Sequence, residues 1–155
     1  MNRYIRLALI VIGVIGVYVA VAWLYTTGQV AHARSEGVYP SAEAGMLAHL
    51  AQSYPPDHEV KIYYAGPNDR YGNPHIWYVI AEVRASARAD GSEMGRNGCD
   101  NPGSFFLQTK EGWVYMSEGA FPTFIGTWMK RFGMAGEGAS TPSTNLLQGP
   151  TQHCR

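Results

Sequence analysis

Apolar and polar positions divide this chain into stretches of different period. From Leu7 to Tyr25 there is no alternation at all, only an uncharged apolar run of about 19 residues with Arg3 and Arg6 just ahead of it. As a helix rising about 1.5 Å per residue the run reaches about 28 Å, close to the thickness of a bilayer's hydrocarbon core. It predicts a transmembrane signal-anchor over residues 7–25. The next basic residue is Arg34, so the positive-inside bias keeps residues 1–6 cytoplasmic and places the rest outside the cytoplasm, as a single-pass protein of the cell membrane. The competing possibility is a signal peptide cut near Ala33, because Ala31-His32-Ala33 supplies an A-x-A pattern and would leave a secreted chain. The length of the run, and Trp23 and Tyr25 at its end, favour the anchor.

Residues 26–40 are polar, carry two glycines and end in Pro40, which predicts a tether. Ser41 then offers a helix N-cap with Glu43 in the first turn. Leu47, Leu50, Ala51 and Tyr54 recur with helical spacing until Pro55-Pro56 stops them. From His58 the period drops to 2. Val60, Ile62 and Tyr64 alternate with Glu59, Lys61 and Tyr63 as a first strand. A turn-rich loop over 66–74 leads to a long second strand, His75 to about Ala89, with Trp77, Val79, Ala81, Val83, Ala85 and Ala87 on its core face. A strand that long is expected to bend or bulge. Residues 105–109 and 113–116 flank Lys110-Glu111-Gly112 as a hairpin. Glu118-Gly119 breaks the sheet, and Phe121, Phe124, Ile125, Trp128, Met129 and Phe132 then form the clearest helical stripe, with Pro122 in the first turn and Gly133 as C-cap.

These elements predict an α+β chain: a transmembrane helix, then one compact extracytoplasmic domain over 41–133 built as helix, four-stranded antiparallel meander, helix, and a flexible tail over 134–155. In outline the domain is similar to the helix-on-curved-sheet arrangements of cystatin-like and NTF2-like domains, in layout only.

Charge removes some partners. Of the 12 Lys and Arg, Arg3 and Arg6 precede the anchor, leaving ten against 12 Asp and Glu with no basic patch, so neither nucleic acid nor an anionic lipid surface is expected to bind. The only cysteines are Cys99 and Cys154, and an oxidising compartment makes a disulfide between them plausible. Closing a loop of about 55 residues is worth roughly 4 kcal/mol in the chain-entropy picture. Gly13, Gly16 and Ala20 fall near one face of the anchor, which admits a homo-oligomer formed through it, although small residues are common in spanning helices.

Familiar catalytic patterns are missing: there is no HExxH, P-loop or GxSxG. A meander brings Asp57, His58 and Glu59 to the same end as Asp90, Glu93, Asp100 and Glu118. That end reads as a solvated acidic rim or, as an alternative, a site in which Asp57, His58, Glu59 and Asp100 hold Ca²⁺ or Zn²⁺. On the opposite sheet face Tyr63, Ile76, Tyr78 and Ile80 make an apolar half, which the last helix covers or which stays open as a binding surface. Tyr71, Trp113 and Tyr115 are candidates for stacking on sugars. The expected function is therefore a non-catalytic, membrane-anchored module that binds an envelope protein or glycan without a cofactor. The alternative is a metal-assisted hydrolase of an envelope substrate.

Overall fold

The computed structural model of the 155-residue chain describes residues 3–67, 74–116 and 122–136. Tyr71, Glu118, Gly119, Phe121, Cys154 and the tail from residue 137 lie outside the described residues.

The apolar run opens a single helix, α1 (Arg3–Glu36), that does not stop where the membrane segment was expected to end. Residues 26–36, expected as a tether, continue it. Nothing in Thr26–Glu36 breaks a helix except Gly28, and Thr26, Val30 and Ala33 recur with helical spacing as a narrow buried stripe. The helix closes with the Gly37 amide donating to the Ala33 carbonyl at 3.3 Å.

Helix α2 (Ala42–Ser53) begins as expected, with the Ser41 hydroxyl accepting from the Ala44 amide at 3.1 Å. Half of its expected stripe, Leu50 and Tyr54, is buried. Ala42, Met46 and Leu50 face the core, while Leu47 is 46 % exposed. Gly45 faces inward and lets α2 approach the Phe106 ring.

Five strands follow: β1 (Glu59–Pro67), β2 (Ile76–Arg84), the short β3 (Cys99–Asp100), β4 (Gly103–Thr109) and β5 (Gly112–Met116). They form one antiparallel sheet in the order β1-β2-β4-β5, with β3 extending the ladder along the far end of β2. The meander is the expected one, but β2 ends at Arg84 and not near Ala89. Its pairing with β1 begins at Glu59↔Arg84, so the chain beyond has no β1 residue opposite. The bulge expected in β2 lies instead in β1, where the register shifts between Ile62 and Tyr64.

Helix α3 (Pro122–Arg131) completes the fold and ends at Gly133, whose φ of 67° suits glycine. Two cores result, one on each face of the sheet. Under α2 lie Ala65, Trp77, Val79, Ala81, Val83, Phe106 and Trp113. On the other face Ile76, Leu107, Val114 and Met116 meet Ile125 and Met129 of α3 together with Val30 and Ala33 of α1. The end of α1 is thus part of the domain.

Candidate binding site

The sheet face read as a binding surface is mostly occupied. Ile76 is fully buried in the core beneath α3. Tyr63 is 7 % exposed, and its hydroxyl donates to the Glu82 carboxylate at 2.6 Å, which Arg84 also engages at 2.7 Å. Burial and that hydrogen bond push the Tyr63 phenol up to about 12. Only Tyr78 and Ile80 of the four keep partial exposure, and the Tyr78 ring leans on Phe105 with centroids 4.8 Å apart. Alternation along β2 identifies the face correctly but says nothing of what covers it.

The acidic end is organised as a hydrogen-bonded cluster around Asp100. Among the described residues no group of three or more His, Cys, Asp or Glu is placed to hold a metal ion. Asp100 accepts from Arg88 at 2.8 Å, from the Gly95 amide at 2.9 Å and from the Tyr54 hydroxyl at 3.1 Å. Burial works against its ionisation, but the Arg88 guanidinium and the other donors outweigh it and hold the carboxyl below its ordinary range. The cluster thereby locks the end of α2 to β3. His58 turns its Nδ1 towards the Pro55 carbonyl, and its ring lies beside Tyr54 at 6.0 Å. Cys99 is buried at the start of β3, and its expected partner Cys154 lies outside the described residues.

A cleft of about 290 Å³ that the sequence did not point to opens where three elements meet. Glu36 ends α1, His49 and Gln52 project from α2, Tyr115 comes from β5, and Tyr39 closes the connection between the helices. Tyr39 is fixed by a pair of 2.8 Å backbone hydrogen bonds with Trp113, which act as a short extra strand beside β5. His49 stacks on Tyr115 with ring centroids 4.2 Å apart and planes 19° from parallel, and Phe106 meets the same tyrosine edge-on at 5.7 Å. Burial lowers the His49 pKa and the Glu36 carboxylate opposes it. The net result is a neutral imidazole near pH 7. The cleft offers one flat aromatic stack, one amide and one carboxylate, a set that orients a small polar group. Its volume falls near the lower end of ordinary small-molecule sites, roughly 300–1,000 Å³. Its sequence signal was weak, because Glu36 joins the cleft only if α1 continues through the supposed tether. Of the residues considered for stacking on sugars, Tyr115 lines the cleft and Trp113 is buried against Trp77 with centroids 4.7 Å apart.

The structure therefore defines an α+β protein with an antiparallel sheet between helices and one N-terminal helix long and apolar enough to cross a membrane. No known protein family matches the chain, and no curated protein or solved structure is significantly similar to it.

Proposed function

We propose that this protein is a membrane-anchored binding module whose domain lies on the extracytoplasmic side and holds a polar group of an envelope glycan in the cleft between Glu36, His49, Gln52 and Tyr115. The observation that carries the reading is the two-part character of α1. Its large side chains from Tyr4 to Tyr25 are exposed, as lipid-facing groups are, while Thr26, Val30 and Ala33 are 0–4 % exposed in the body of the domain. Cleavage near Ala33 would remove Val30 and Ala33 from the second core, which speaks for an anchor that is kept. Arg3 and Arg6 ahead of the run support a cytoplasmic N-terminus.

Binding without chemistry is supported by what the charged groups do. Asp100, Glu82 and Glu111 all engage arginines within the fold, the last through Arg34. In the cleft Glu36 lies 3.5 Å from His32 of its own helix.

The test has two parts. Mature protein should remain in membranes after alkaline extraction with its first 33 residues intact by mass; a soluble chain beginning near Arg34 would end the anchor reading. The reconstituted full chain should bind envelope glycan fragments in calorimetry, and Gln52→Ala with Tyr115→Ala should lose that binding while the circular dichroism spectrum stays unchanged. Equal binding by the double variant would place the site elsewhere.

A further inference from the structure

We propose that the cleft takes its glycan by a free ammonium group, that of an amino sugar without an acetyl cap. The inference rests on the glycan reading of the cleft and names the chemistry that the cleft selects.

Charge decides the sign of the occupant. Among the described residues that line the cleft, Glu36 supplies a carboxylate, the His49 imidazole is neutral, and no lysine or arginine stands with them. Glu82, Asp100 and Glu111 are each engaged by an arginine. Glu36 instead lies 3.5 Å from His32, an imidazole that is charged only when protonated, and its own side chain is 49 % exposed. Glu36 is also the last residue of α1, at the negative end of the helix dipole, where a carboxylate is disfavoured. The one basic residue of that last turn, Arg34, reaches away to Glu111 in the β4–β5 turn. The carboxylate and the helix end therefore add up to a negative field with no fixed cation against it, and the occupant that relieves both is positive. An anionic sugar would meet that field unopposed.

The walls decide which cation. A calcium ion takes about 6–8 oxygen ligands, and among the described residues no group of three or more His, Cys, Asp or Glu is placed to hold a metal. An ammonium needs only three acceptors and is attracted to aromatic faces. Glu36 and the side-chain carbonyl of Gln52 are acceptors, and Tyr39 adds a hydroxyl oxygen and a ring. Gly37 brings that hydroxyl to the end of α1: a β-carbon there would stand 2.6 Å from it, and the φ of 153° suits glycine. Tyr115, held flat by its stack on His49, offers a wall for the sugar ring that carries the nitrogen. An acetyl cap turns the ammonium into a neutral amide and removes the charge that Glu36 answers.

Calorimetry on the full chain in phosphatidylcholine vesicles near pH 7 tests the proposal, since that surface has no net charge to collect a cationic probe. The probes are a glucosamine tetrasaccharide with free amines and its fully N-acetylated counterpart. The free-amine probe is expected to bind about tenfold more tightly, the worth of one charge-assisted hydrogen bond. Glu36→Gln should erase that preference, with the circular dichroism spectrum and the binding of the N-acetylated probe unchanged. Glu59→Gln removes an equal charge from an exposed site on β1, at the opposite edge of the sheet, and should keep the preference. Equal binding of the two probes, a preference that survives Glu36→Gln, or one lost equally in Glu59→Gln would overturn the ammonium inference and leave the glycan reading standing. Binding of neither probe, with other envelope glycan fragments still bound, would do the same. Absence of all glycan binding would overturn the glycan reading and this inference with it.

Discussion

Gly45 shows how one residue sets the packing of a whole helix. In an exposed helix interior, replacing glycine by alanine gains about 1 kcal/mol. At Gly45 a β-carbon would stand 2.6 Å from the Phe106 ring and 2.9 Å from Tyr39, so the helix would have to lift off the sheet. Gly45→Ala is therefore expected to destabilise the domain by about 1–3 kcal/mol, the usual cost of overpacking. Gly28→Ala, in α1 with nothing within 4 Å, should be neutral or stabilising, and urea unfolding of both variants separates the two effects. Of the expected α2 stripe, Leu50 and Tyr54 are buried, and Leu47 and Ala51 are exposed. Leu47 and Ala51 look like core in a hydropathy pattern, whereas a glycine that faces inward leaves no mark in it.

At the scale of elements, what was legible in the sequence is what repeats. The core face of β2 from Trp77 to Val83 and the stripe of α3 announce themselves because large side chains recur with a fixed period. The last three turns of α1 do not. Thr26, Val30 and Ala33 are small and sit among polar residues, so the stretch resembles a linker until β5 and α3 provide a surface for it. The cleft stayed illegible for the same reason, since Glu36 reaches it only through that continuation. A proline separates the two descriptions. Gln29→Pro would be harmless in a tether. In a continuous helix it removes a backbone hydrogen bond and clashes with the preceding turn, at about 3 kcal/mol or more. A lowered melting temperature of the reconstituted domain is the expected result.

For the molecule as a whole, pH is the most accessible variable. Burial lowers the pKa of His49 against the pull of Glu36, and burial also lowers that of His75, assisted by Lys130. An imidazole whose folded pKa lies below its unfolded value binds fewer protons in the native state throughout the window between the two. Its contribution is fully present above the unfolded value of about 6.5 and is lost as pH falls through the folded one. Asp100 behaves likewise in a lower window, being held below its usual range by Arg88, the Gly95 amide and Tyr54 against the effect of burial. Stability should accordingly decline as pH drops below about 6.5, in two stages, with the carboxylate stage last. Urea midpoints measured from pH 8 to 4 check this, and His75→Gln should flatten the first stage. Neither stage is legible from sequence, because burial of a histidine depends on which faces close over it.

The unbroken run of α1 into the domain also fixes a height. Glu36 lies 11 residues beyond Tyr25, about 16 Å further along a rigid axis. A domain on a flexible leash would sweep a wide dome of space and sample ligands at any distance within it. With α1 as the proposed anchor this one has no such freedom, and its cleft would patrol a thin shell at constant altitude over the bilayer, open only to material that comes that close.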